Sequence, residues 1–188
     1  PSSRVRWCTR QLKIKPFEDW VGDDPVVSYV GIRADEDREG YISTKPNIKA
    51  VFPFKADGIT KDDVFRILED SGVGLPKYYE WRSRSGCYFC FFQRNAEWVG
   101  LKERHPELYE AAKAYEKPAA DGEPGFTWNA GESLVQLAEP RRVAQIKIRH
   151  AEAMAKEQAR GANQRLIDVL ADVLDDEDDA EPCLVCHL

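Results

Sequence analysis

Methionine and histidine are scarce in this chain of 188 residues, with Met154 alone of its kind and three histidines in all. No apolar run approaches the roughly 20 residues that a bilayer-crossing helix needs, and no charged-then-apolar leader opens the sequence. These absences argue against a membrane span or an intact secretory signal, and the cytoplasm is the expected compartment. No segment repeats itself, which removes solenoid and propeller architectures. A disulfide scaffold is disfavoured too. The five cysteines (Cys8, Cys87, Cys90, Cys183 and Cys186) are odd in number and include two C-x-x-C pairs, a pattern suited to metal ligation or redox chemistry in a reducing compartment.

What is present is the composition of a folded protein, one domain or one and a half by length. Hydrophobic residues make up 43%, aromatics 11% and charged residues 32%, too apolar for a wholly disordered chain. The net charge of −6 is unevenly placed. Seven acids and no base lie between Asp172 and Glu181, which leaves residues 1–171 at about +1. The first fifteen residues carry Arg4, Arg6, Arg10, Lys13 and Lys15 with no acid. The chain therefore reads as an anion-facing N-terminal segment and, far downstream, a solvated acidic tail.

Patterning places the elements. Pro25–Ile32 is β-rich and nearly continuous in apolar character, as a buried strand of an α/β sheet would be. The charged turn Arg33-Ala34-Asp35-Glu36-Asp37-Arg38 follows at its C-terminal end, the edge where ligands collect in open α/β sheets. Ala50–Phe54 is a second short apolar run. Thr60 is set as an N-cap, Val64, Ile67 and Leu68 give a helical stripe, and Ser71-Gly72 ends it. Residues 95–115 read as two helices or one bent at His105-Pro106. Residues 118–133 read as a linker or loop, 134–174 as a helical extension with a break near Gly161, and 175–188 as an acidic disordered tail.

Chemistry concentrates in Arg82-Ser83-Arg84-Ser85-Gly86-Cys87-Tyr88-Phe89-Cys90. The C-x-x-C spacing places two sulfurs on one metal or cluster, Gly86 allows a close backbone approach, and the flanking arginines favour thiolates. A thioredoxin-type dithiol is the first rival, although that motif opens a helix after a strand. Cys8, in a basic segment, supplies a third thiolate. The spacing leaves zinc and an iron–sulfur cluster both open. The aromatics around Cys90 suit shielding or core better than base stacking.

Three segments carry a resemblance: Arg6-Trp7-Cys8-Thr9-Arg10-Gln11-Leu12-Lys13, Tyr29-Val30-Gly31-Ile32-Arg33-Ala34-Asp35-Glu36, and Arg84-Ser85-Gly86-Cys87-Tyr88-Phe89-Cys90. In this order they resemble the C-terminal half of the phosphoadenosine phosphosulfate (PAPS) reductase family, in its cysteine-rich branch that includes the sulfur-transfer proteins of DNA phosphorothioation. The likeness covers residues 1–117. It implies an α/β fold, the C-terminal part of an adenine-nucleotide α-hydrolase-like domain, here followed by the helical extension. It also implies ATP or adenylyl sulfate as nucleotide and a [4Fe-4S] cluster, with zinc as the alternative metal. Cys8, Cys87 and Cys90 match the cluster cysteines, and Arg33 matches the basic residue that faces a phosphate or sulfate, with Arg10 and Lys13 as companions. Arginine suits that role because its charge is permanent and its donors form a planar fork; a surface salt bridge from Arg33 to Asp35 or Asp37 is the competing reading.

The family's Ser-Gly-Gly-x-Asp-Ser phosphate loop has no counterpart in these residues, so the expectation is the C-terminal portion of a longer enzyme. No catalytic residue is assigned. The expected partners are an adenine nucleotide or sulfonucleotide and a sulfur donor or redox protein, with nucleic acid as a further candidate. The C-terminal Cys183-Leu184-Val185-Cys186-His187 matches the c-type haem attachment pattern, but reads better as further metal ligands (Cys183, Cys186 and His187) or a redox pair. The alternatives to the enzyme reading are a zinc-stabilised module that binds nucleic acid or a protein partner, and a thiol–disulfide oxidoreductase using Cys87 and Cys90.

Overall fold

The computed structural model describes residues 7–37, 43–83, 85–117, 125–129 and 131–159. They are mixed α/β, mostly helical with one small parallel sheet, and divide after Lys77 into two compact units.

The first unit begins with a helical stretch in three pieces: α1 (Trp7–Thr9), a π-helical turn (Arg10–Ile14) and α2 (Lys15–Val21). Pro16 explains the middle piece. It has no N–H to give the carbonyl four residues back, and its ring crowds that carbonyl, so the helix re-registers and the Lys15 N–H bonds to the Arg10 carbonyl instead. Gly22, at φ +61°, ends the helix.

Strands β1 (Val26–Tyr29) and β2 (Ile48–Val51) pair in parallel, Val26 opposite Ile48 and Tyr29 opposite Val51. β1 falls within the run expected as a strand, but it is covered on one face only. Val27 and Tyr29 are exposed while Val26 and Ser28 are half-buried, because the sheet has two strands among the described residues. Ile14 and Phe17 line a small cavity of about 70 Å³ with Ser28, Val30 and Ile48, which identifies the covered face. Of the second apolar run, the first part is strand and Pro53–Ala56 turns into the short helix α3. Helix α4 (Lys61–Asp70) starts at Thr60, whose hydroxyl accepts the Asp63 N–H while Asp63 accepts the Thr60 N–H. It stops at Ser71, with Gly72 in the left-handed region.

The second unit is built on α5 (Asn95–Arg104) and α6 (Pro106–Lys113), separated at His105-Pro106. Its core joins Trp98, Leu101, Tyr109 and Ala112 to Trp128, Leu134, Leu137 and Ile146. Tyr115, just beyond α6, is exposed. The described part of the expected linker is a loop that contributes to this core. Lys117 and Phe126 exchange backbone hydrogen bonds of 2.9 Å, and the Trp128 indole N–H donates to the Ala112 carbonyl at 2.9 Å. The expected extension is helical as α7 (Leu134–Leu137) and α8 (Pro140–Ala159), and it packs through Leu134, Leu137 and Ile146 rather than standing apart. The readings on Gly161, on residues 160–174 and on the acidic tail lie outside the described residues. No described helix is long and apolar enough to cross a membrane.

Candidate metal centre and anion-facing residues

In the second unit, Cys87 and Cys90 sit on a tight turn closed by a hydrogen bond from the Cys90 N–H to the Cys87 carbonyl at 3.2 Å. The turn does not open a helix; α5 begins only at Asn95. Cys87 is exposed, Cys90 is half-buried, and neither is in a disulfide. A turn of this kind keeps two thiol donors close along the chain, as a C-x-x-C metal or redox pair needs.

Three buried polar side chains hold this loop. The Glu97 carboxylate, on the first turn of α5, accepts from the Ser83 N–H and hydroxyl (3.0 Å each) through Oε1 and from the Arg94 N–H (3.3 Å) through Oε2. One side chain thus clasps both stems of the loop. Gln93 donates across it to the Tyr88 carbonyl at 2.8 Å. Arg82 donates to the Gly86 carbonyl at 3.1 Å, one residue before Cys87, and its guanidinium lies over the Trp81 ring at 5.3 Å. Arg82, Gln93 and Glu97 are three of the four buried polar residues among those described. Such a concentration of buried polarity on one loop marks it as a built feature. A Cβ at Gly86 would lie 2.9 Å from the Arg82 Nη2 and would push the end of that side chain aside.

On the inner side, Tyr88, Phe89 and Phe91 pack against the core, Phe89 beside Trp128. Burial, helped by Tyr115 and Cys87, raises the Tyr88 pKa. These rings therefore contribute to the core, one of the two roles expected of them.

Cys8 lies half-buried in α1 of the first unit, and it too is outside any disulfide. Among the described residues no group of three or more His, Cys, Asp or Glu is gathered to hold a metal; the Cys87–Cys90 turn presents two donors. Cys183, Cys186 and His187 lie outside the described residues.

The anion-facing candidates are placed as follows. Arg33 follows β1 at the C-terminal edge of the parallel pair. Its guanidinium contacts Asp35 at 2.9 Å and Glu36 at 3.3 Å, so the salt bridge to Asp35 foreseen as the competing reading is formed. The bond from Arg33, with help from the Lys61 backbone N–H at the start of α4, holds the Asp35 carboxyl below its usual range. An internal carboxylate therefore sits where helix start and guanidinium converge. Arg10, on the π-turn, pairs with the buried Glu18 at 2.6 Å, and Ser43 donates to the same carboxylate at 2.7 Å. Those two bonds, Ser43's first, hold Glu18 below its usual range. Lys13 is exposed on the same π-turn. π-Helical turns recur at functional sites, although Pro16 alone accounts for this one.

Sequence reasoning found the cysteines and missed Arg82, Gln93 and Glu97 as the residues that fix them. One signal was available. Glu97 stands three residues after Arg94 at the start of a helix, the spacing at which a carboxylate turns back onto the preceding backbone.

No family model matches the chain, and no solved structure matches it. The chain is similar to the uncharacterized protein MJ0973 of Methanocaldococcus jannaschii, at 24% identity over 125 residues that cover 58% of this chain. The match spans 28% of that protein's length.

Proposed function

We propose that this chain is a cysteine-bearing portion of an enzyme similar to the PAPS reductases, with an adenine-nucleotide α-hydrolase-like domain, acting in ATP-dependent sulfur transfer or sulfonucleotide reduction. The observation that carries the reading is the Cys87–Cys90 turn, held by three buried polar side chains that the core alone does not require. Its thiol donors fit a soft or borderline metal, iron in a [4Fe-4S] cluster first and zinc second. Cys87 and Cys90 would hold the centre, and the sequence offers Cys8, Cys183, Cys186 and His187 as candidates for its further ligands. When bound, a cluster provides one-electron chemistry. Arg33, Arg10 and Lys13 would face the nucleotide's sulfate or phosphate, Arg33 exchanging its Asp35 and Glu36 partners for the incoming oxyanion. A sulfur donor or redox protein completes the reaction, and the nucleotide's phosphates would be cradled by a glycine loop that these residues do not contain.

Anaerobic purification with iron, sulfide and zinc analysis tests this. The expected result is a coloured protein with iron and acid-labile sulfide, both lost in Cys87→Ser. A colourless protein with stoichiometric zinc would overturn the cluster and favour a zinc-stabilised module; salt-sensitive binding to nucleic acid would then support that module. Metal-free protein with a reversible Cys87–Cys90 dithiol titration would mean a thiol–disulfide oxidoreductase instead.

A further inference from the structure

The outer edge of β1 is complementary to itself. The Val26 N–H donates to the Asn47 carbonyl at 2.9 Å and the Val30 N–H to the Val51 carbonyl at 2.8 Å, in the register that sets Val26 opposite Ile48. Alternate residues of a strand direct their backbone groups to opposite sides. Val26, Ser28 and Val30 therefore face β2, and the N–H and C=O groups of Val27 and Tyr29 point outward. Among the described residues no strand pairs with that edge. Val27 is 53% and Tyr29 76% exposed, and both side chains lie on the uncovered face of the sheet. Proteins guard such an edge with a lysine, a proline, a bulge or a covering element. Val26–Tyr29 contains neither lysine nor proline, and its register with β2 is unbroken. Parallel sheets are ordinarily covered on both faces, so an edge this bare is suited to a partner.

We propose that the β1 edge pairs with the β1 edge of a second copy of this chain, antiparallel and about a two-fold axis at Ser28. In that register Val27 stands opposite the partner's Tyr29, and Tyr29 opposite the partner's Val27. Both residues direct N–H and C=O outward, so each opposed pair exchanges two backbone hydrogen bonds and no outward group of the strand is left unmet. A slip of one residue would set an outward-facing residue against an inward-facing one. Centring on Val27 would set Tyr29 against the partner's Pro25, which has no N–H to give. On the exposed face Val27 and the partner's Tyr29 form an aromatic–β-branched cross-strand pair, which favours the pairing. Ser28, on the axis, is small and uncharged, and Val26–Tyr29 brings no like charges together. The result is one sheet in the order β2-β1-β1-β2 with an isologous contact. The contact is small, so the association is reversible and driven by concentration. The inference is independent of the metal and nucleotide readings above.

The test is sedimentation equilibrium of the full chain under reducing conditions, so that its cysteines do not cross-link copies. The expected result is an average mass that rises with concentration from that of one chain toward twice that value. Val27→Lys combined with Tyr29→Lys changes two exposed side chains, which spares the fold of the single chain, and sets lysine opposite lysine across the axis. Dimerisation is then expected to weaken about 10-fold or more. Val27→Lys combined with Tyr29→Glu sets lysine opposite glutamate in the same register, and association is expected to return close to the parent's. The circular dichroism of both variants is expected to match the parent's. A parent that stays a single chain at every concentration overturns the inference and leaves the edge to a strand of another polypeptide. Association undiminished by the two lysines belongs to a different surface and overturns it as well. Equal loss of association in the two double variants overturns the register, and with it the two-fold pairing.

Discussion

Glu97 shows how much one side chain does for this loop. Its two oxygens receive three donors, two of them backbone N–H groups on opposite stems. Glu97→Ala would strip these part-buried N–H groups of their carboxylate acceptor, and a hydrogen bond to a charged group contributes roughly 1.5–3 kcal/mol. We therefore expect Glu97→Ala to lose about 2 kcal/mol in urea unfolding, and Glu97→Gln, which retains one good acceptor, to lose less. Alanine at position 86 acts on the other side of the loop. Its Cβ would push the Arg82 fork away from the Gly86 carbonyl, so Gly86→Ala should weaken cadmium binding at the Cys87–Cys90 turn while hardly changing the helix signal in circular dichroism. The cysteines themselves were legible in the sequence because C-x-x-C is a local pattern whose geometry follows from its spacing. The residues that fix them were not. Arginine, glutamine and glutamate belong by default on the surface, and only the tertiary packing of α5 against the loop brings all three inside.

At the scale of elements, legibility followed the range of the forces. Helix α4 is written locally, with a threonine cap, an acid three residues on and a glycine after the end, and it forms within a residue of where those signals place it. The break at His105-Pro106 is equally local. The helical stretch 7–21 was hidden by Pro16, which reads as a breaker and instead produces a π-turn. Trp128 was hidden by its glycine- and proline-rich neighbourhood, although an indole with a buried partner for its N–H gives ample reason to fold such a loop inward. Gly100 in α5 offers a test of which force governs an element. By propensity alone Gly100→Ala should stabilise a helix interior by about 1 kcal/mol. Here the added Cβ would meet the Trp81 ring at 2.7 Å and its Cβ at 3.2 Å, a contact with a rigid, partly buried ring rather than a flexible chain end. Overpacking of that kind costs about 1–3 kcal/mol. The steric term is the larger, so Gly100→Ala should lower the melting temperature and disturb Trp81 fluorescence, and a rise in melting temperature would show that the ring yields freely.

The two units rest on different physics, and acid should separate them. In the first, Glu18, Asp19, Asp35 and Asp63 are each held below their usual acidity range by hydrogen bonds from Ser43, Lys15, Arg33 and Thr60 respectively, with nearby cations assisting. A carboxyl depressed by folding stabilises the native state fully above its unfolded pKa, and the contribution disappears as pH falls through the folded value. The window therefore opens near the ordinary carboxyl values of about 4 and extends downward. The first unit has few buried apolar residues to set against that loss, Val21, Ile32 and Ile48 among them. The second unit keeps an apolar core of Trp98, Leu101, Tyr109, Ala112, Trp128, Leu134, Leu137 and Ile146, whose burial does not depend on pH. Amide hydrogen exchange followed from about pH 6 to about pH 3 should show protection vanishing first in α2, β1 and β2 and persisting in α5 and α6. Ser43→Ala should shift the first transition to higher pH, because Glu18 loses its strongest stabilising bond and titrates closer to its unfolded value. Simultaneous loss of protection in both units, unmoved by Ser43→Ala, would mean that the carboxylates of the first unit do not set the acid stability of the chain.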